Sequence, residues 1–174
     1  MKNESIFERD IANLTEYYFT FRSLVALHRN FNYGNAPRLS EGFTEKLCGT
    51  LFGFDKAENV NREYDLYDPV NHLKIEVKAT SDEYGSTTIN PHSKFDYLYW
   101  INFQLNLNCL WIKVITYKSL HKNLIYSKDD KRINITLSKI ELLVEPKYYY
   151  FCQKTSNIVE MSVHEQIEYI KQHK

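Results

Sequence analysis

Phe7, Ile11, Leu14, Tyr18, Phe21 and Val25 recur at spacings of four and three. That spacing places them on one helical face and predicts a long amphipathic helix over about residues 4–28. The stretch NFNYGNAPRLS ends it, with Gly34 and Pro37 as breakers and Ser40 as the N-cap of a second helix. In EGFTEKLCGTLFG, residues 41–53, Phe43, Leu47 and Leu51 form a buried stripe, while Glu41, Glu45 and Cys48 share an adjacent face. The pattern then changes from helical to alternating. Residues 62–67 and 73–79 read as two strands joined by DPVNH, which is turn chemistry. SDEYGSTTINPHSK, residues 81–94, is polar and predicts a loop.

Two apolar runs follow, FDYLYWINF at 95–103 and CLWIKVITY at 109–117, whose aromatic and β-branched content favours strands. A lysine-rich segment covers 118–145 with a short helix at its start, and KYYYFC at 147–152 predicts a further strand. Ser162 followed by Glu165 forms a capping box that opens a last helix. The order of elements predicts an α/β fold with a mixed central β-sheet flanked by helices. No repeat, linker or low-complexity stretch divides the chain, so residues 1–174 are expected to form a single domain with a substantial core.

Composition narrows the class. At 43% hydrophobic and 25% charged residues, the chain has the make-up of a soluble globular protein. Cys48, Cys109 and Cys152 are widely spaced and lack a CxxC or CxxH partner, which argues against a zinc site or a disulfide framework. They read as core positions in a reducing compartment. MKNESIFERDIANL is too charged for a signal peptide, and no run approaches the ~18 apolar residues of a membrane span. A cytoplasmic location is expected.

The formal net charge of zero hides an uneven distribution. Residues 41–68 carry seven acids (Glu41, Glu45, Asp55, Glu58, Glu63, Asp65, Asp68) against three bases. Residues 108–139 carry seven bases (Lys113, Lys118, Lys122, Lys128, Lys131, Arg132, Lys139) against two acids. An acidic segment beside a basic one suits a metal-dependent enzyme acting on a polyanion.

The chemistry concentrates in REYDLYDPVNHLKIEVKATS, residues 62–81. Along HLKIEVKAT the side chains alternate, so Ile75 and Val77 face one way while Lys74, Glu76 and Lys78 face the other. A hairpin brings Asp65, on the preceding strand, alongside Glu76. Two carboxylates at close range repel each other, and a divalent cation relieves that repulsion. Ligation by oxygen alone suits Mg²⁺. Lys78 is placed to position or deprotonate a water, or to offset charge developing on phosphorus.

The bare pattern [Asp/Glu]-x-Lys is common, occurring at Glu76–Lys78, Asp129–Lys131 and Glu145–Lys147. Only the first lies in a β-branched strand that follows an Asp-bearing strand across a turn. A half-exposed strand with a cross-strand salt bridge accounts for Glu76 and Lys78, but not for Asp65.

Asp65-x10-Glu76-x-Lys78, continuing as VKAT, resembles the PD-(D/E)xK nuclease core, and in particular that of small type II restriction endonucleases. PRLSEGFTEKLC and GSTTINPHSKFDYLYWINF extend the resemblance to the small Bsp-type branch over roughly residues 37–105. The resemblance implies a restriction-endonuclease-like fold and Mg²⁺-dependent, sequence-specific hydrolysis of phosphodiester bonds in double-stranded DNA. It implies Asp65 and Glu76 as metal ligands, Lys78 assisting the attacking water, and a carboxylate from the preceding helix. Glu45 is the first choice for that carboxylate and Glu41 the second. The proline of the family name is missing, since Tyr64 precedes Asp65. Pro69 follows Asp68 and keeps Asp68 open as the ligand; Asp65 is preferred because Asp68 abuts the turn.

Base-edge contacts are expected from the polar segment after the catalytic strand, with Ser81, Tyr84, Ser86, Thr87, Thr88, Asn90, His92, Ser93 and Lys94 as candidates. Lys118, Lys122, Lys128, Lys131 and Arg132 are a second source. A two-fold DNA site is most simply cut by a homodimer. The rival readings are a junction resolvase or DNA-repair nuclease on the same core, and a DNA-binding module without catalysis. A neutral pI favours the sequence-specific enzyme, because it limits nonspecific binding to DNA.

Overall fold

The first helix outruns its periodicity at both ends. In the computed structural model, which describes residues 2–35, 37–58, 63–81, 84–122 and 124–173, α1 spans Lys2–Phe31 and α2 spans Glu41–Phe52. Ser40 caps α2, its side chain accepting from the Phe43 N–H at 3.2 Å. β1 (Asp55–Lys56), β2 (Leu66–Asp68), β3 (Leu73–Thr80), β4 (Ser86–Ile89), β5 (Tyr97–Gln104) and β6 (Cys109–Thr116) follow. Then come α3 (Tyr117–His121), β7 (Ile133–Thr136), β8 (Lys147–Cys152), β9 (Asn157–Met161) and α4 (Val163–His173). Ser162 and Glu165 cap α4 reciprocally, as the capping box predicts.

Seven strands form one mixed sheet in the order β1-β2-β3-β5-β6-β8-β9. Only the β3–β5 pair within it is parallel. The chain leaves β3, forms β4 away from this sheet, and returns as β5. β4 pairs with β7 in a separate two-stranded ribbon.

Each sheet face has its own apolar cluster. α1 and α2 cover the first, where Leu47, Ile75, Ile101 and Phe103 are sealed from solvent. Tyr18 of α1 is wholly buried there, stacked on Phe151 at 3.8 Å between ring centroids. On the second face Leu98, Trp100 and Ile115 pack under Ile89, Ile135 and Leu137 of the ribbon and the turn after it. Full burial of each such side chain contributes about 1.5–3 kcal/mol.

Three expectations need correction. Residues 81–94 are not loop throughout, because Ser86–Ile89 is a strand; its β-branched Thr87, Thr88 and Ile89 find a partner some 45 residues on, in β7. The strand expected at 62–67 is Leu66–Asp68, and residue 62 lies outside the described residues. β1, β7 and β9 are short strands that the hydrophobic pattern does not reveal. Cys48 and Cys109 are buried core cysteines, whereas Cys152 is only half-buried. Among the described residues no helix is long and apolar enough to cross a membrane.

Candidate active site

Asp65 sits immediately before β2, yet it is held like a strand residue. Its N–H donates to the Ile75 carbonyl at 2.9 Å, and its carbonyl accepts from the Ala57 N–H at 3.1 Å. Leu66 pairs with Ile75, so the same register carries Asp65 opposite Glu76. Its carboxylate accepts the Val77 N–H at 2.7 Å, which ties it to β3. Asp68 has another task. Its side chain accepts from the Val70 and Asn71 N–H groups and from the Asn71 amide, closing the turn between β2 and β3. Asp68 is the last residue of the strand, so it is this engagement, rather than a place outside the strand, that sets it apart from Asp65.

Glu76 and Lys78 project from the same face of β3, and Lys78 Nζ lies 2.6 Å from Glu76 Oε1. Both are largely shielded from water. Glu45, on α2, meets Lys56 of β1 at 3.4 Å and lies close enough to Asp65 and Glu76 to repel them. Burial raises the pKa of Asp65, against the lowering effect of the Val77 N–H and of Lys78. Burial also raises Glu76, with Lys78 opposing and Asp65 reinforcing. For Lys78 burial works to lower the pKa, but Glu76 and then Asp65 outweigh it and hold the ammonium above its ordinary value. Glu45 is raised by burial first and by Asp65 second.

Asp65, Lys78, Glu45 and Glu41 open into one cleft of about 820 Å³. β4 and β7 form its far wall, and Arg29 of α1 and Arg38 flank its rim. Of the nine residues of this segment expected to read DNA, Ser81, Ser86, Thr87 and Thr88 line this cleft. Tyr84, Asn90, His92, Ser93 and Lys94 do not. Asn90 accepts the His92 N–H in a local turn, the His92 ring meets Tyr126 edge-on, and Lys94 lies 4.0 Å from Glu63. The bases at 118–132 are also absent from the cleft lining.

In the ribbon, residues opposite one another share a face. Thr87 is opposite Ile135, on the side that packs toward Trp100. Ser86 opposite Thr136, and Thr88 opposite Asn134, therefore make the other side, which is polar and uncharged. The sequence reading did not select Arg29, Arg38, Thr80, Asn134 or Thr136, all of which line the cleft. Thr80 alone carried a readable signal, since it continues the alternation of Glu76 and Lys78.

Among the described residues no group of three or more His, Cys, Asp or Glu side chains gathers as a metal cage. The donors that do come together, Asp65 and Glu76, are oxygen ligands. Mg²⁺ is commonly bound by one or two carboxylates and keeps several waters, so this donor set fits it. Glu45, Asp65 and Glu76 crowd around Lys56 and Lys78, and a cation would relieve the repulsion among the three carboxylates.

A search of curated proteins finds no match. A family model described as Bsp6I restriction endonuclease matches residues 6–137, from the first turns of α1 to the turn after β7. That span includes Asp65, Glu76, Lys78 and every wall of the cleft. With three quarters of its length matched, this chain belongs to the Bsp6I restriction endonuclease family, enzymes that cleave DNA.

Proposed function

We propose that the protein is a Mg²⁺-dependent type II restriction endonuclease of the PD-(D/E)xK kind, which hydrolyses phosphodiester bonds in both strands of a specific duplex site. The observation that carries this reading is one juxtaposition. Asp65 is fixed opposite Glu76 by the Val77 N–H, Lys78 stands 2.6 Å from Glu76, and Asp65 and Lys78 face a cleft with a polar far wall.

In this reading Asp65 and Glu76 hold the metal, and Glu45 supports them from α2. The metal supplies Lewis acidity toward the phosphoryl group and a more acidic water. Lys78 has a narrower role than its residue type allows. Its raised pKa keeps it protonated near neutral pH, so it orients the attacking water and offsets charge on phosphorus rather than acting as a base. Arg29 and Arg38 at the rim take backbone phosphates.

The polar side of the ribbon, Ser86, Thr88, Asn134 and Thr136, reads base edges, as two-stranded ribbons do in the major groove. Two protomers acting on a two-fold site would cut both strands.

Unmethylated phage DNA incubated with the protein and Mg²⁺ is expected to give discrete fragments, and EDTA is expected to abolish them. A smear would favour a structure-directed or nonspecific nuclease. Intact DNA under both conditions would end the catalytic reading.

A further inference from the structure

Thr80 ends β3 two residues beyond Lys78, on the same strand face, and it lines the cleft. Its hydroxyl oxygen accepts two hydrogen bonds, from Trp100 Nε1 at 2.7 Å and from Asn102 Nδ2 at 3.0 Å. Indole N–H is a donor and nothing else. The Asn102 amide is oriented by Gln104, whose Nε2 donates to Asn102 Oδ1 at 2.6 Å. Trp100 and Asn102 are both completely buried, so neither donor has water as an alternative.

A hydroxyl has two lone pairs and one proton. With both lone pairs engaged from the sheet side, Thr80 has only its proton left to offer, and the cleft is the side on which it is open. Register places Lys78 beside Trp100 and Thr80 beside Asn102, so the donor stands one strand repeat, about 7 Å, from the lysine. A DNA strand positioned for attack at Lys78 must bring its phosphates, not its base edges, to this depth. A phosphate oxygen is also the stronger partner, because charged acceptors roughly double the strength of such bonds.

We infer that Thr80 is a preorganised hydroxyl donor to a non-bridging phosphate oxygen of the DNA strand held at Lys78. This assignment rests on the nuclease reading above and adds a substrate contact to it. The buried indole and amide act through Thr80 as positioning groups.

The test combines single-turnover cleavage with a scan of duplexes, each carrying one methylphosphonate near the cut, where a neutral methyl replaces the charged oxygen. Thr80→Val should slow cleavage about 10–100-fold and Thr80→Ser only slightly. At one phosphate, the methylphosphonate should slow the wild type by a similar factor and slow Thr80→Val no further. A merely structural role predicts that the two losses multiply at every phosphate, and that result would overturn the inference. Should the valine variant fold poorly, Thr80→Cys, a weak donor of similar size, should show the same loss of coupling. A wild-type protein that cuts no duplex would remove the nuclease reading itself. Normal cleavage with multiplying losses would remove only the role of Thr80.

Discussion

Asp65→Asn should abolish cleavage while leaving DNA binding within a few-fold of wild type. Asparagine retains an oxygen for the Val77 N–H, so the hairpin register survives, but the negative metal ligand is gone. The expected loss in single-turnover rate is on the order of 10³-fold or more. Lys78→Ala should lose a comparable amount. A binding module without catalysis would show no Mg²⁺-dependent activity to lose.

The same substitution has a second, opposite signature. Burial raises the pKa values of Asp65 and Glu76, reinforced by Glu41 at the first and by Asp65 at the second, so the folded metal-free protein binds these protons more tightly than the unfolded chain does. Stability of the metal-free protein therefore falls as pH rises through the carboxylate range to those raised values. Removing the Asp65 charge should raise the melting temperature of the metal-free protein by about 2–4 °C at neutral pH. That gain should fade below about pH 4, where the wild-type carboxyl is itself protonated. A melting temperature that drops at neutral pH would show that Asp65 is a structural anchor instead.

Gly85→Ala is expected to be the most damaging small change on the ribbon. Gly85 lies at φ +65°, and a Cβ there would come within 2.2 Å of the Trp100 ring. The ring cannot easily yield, because it is fully buried and its Nε1 is held by Thr80. Left-handed backbone strain and overpacking together should cost about 3–5 kcal/mol. Gly53 provides the control. It has φ +72° with nothing within 4 Å of the added Cβ, so Gly53→Ala should cost only the backbone penalty, about 1–2 kcal/mol. Urea unfolding of both variants decides the matter, and equal losses would mean that the Gly85–Trp100 contact imposes no constraint. Because β4 starts at Ser86, Gly85→Ala should also displace the far wall of the cleft.

The juxtaposition of Asp65 with Glu76 was legible in the sequence because a short turn leaves a hairpin few registers, and alternation fixes which side chains share a face. The approach of Glu45 was legible for a similar reason, since helical spacing put it beside Glu41 on the face adjoining the buried stripe. The ribbon was not. β4 and β7 are four residues each, polar in part, and separated by β5, β6 and α3, so nothing local records their pairing. That is why Ser86, Thr87 and Thr88 could be chosen from their polar segment, while Asn134 and Thr136 across the ribbon could not. The role of Asp68 was hidden as well, because only the folded turn shows its carboxylate taken up by Val70 and Asn71. Hydrogen-bond direction at Thr80 depends on Trp100 and Asn102, more than twenty residues away by the count to Asn102.

The central claim is that the Asp65–Glu76 pair holds a divalent cation, and Mn²⁺ binding followed by electron paramagnetic resonance tests it most directly. The wild type should bind Mn²⁺ at one carboxylate-dependent site near neutral pH, with Mg²⁺ competing. Asp65→Asn and Glu76→Gln should each weaken that binding at least about tenfold. Unchanged Mn²⁺ affinity in both variants would contradict the assignment and leave the pair as two charged neighbours in an ordinary hairpin.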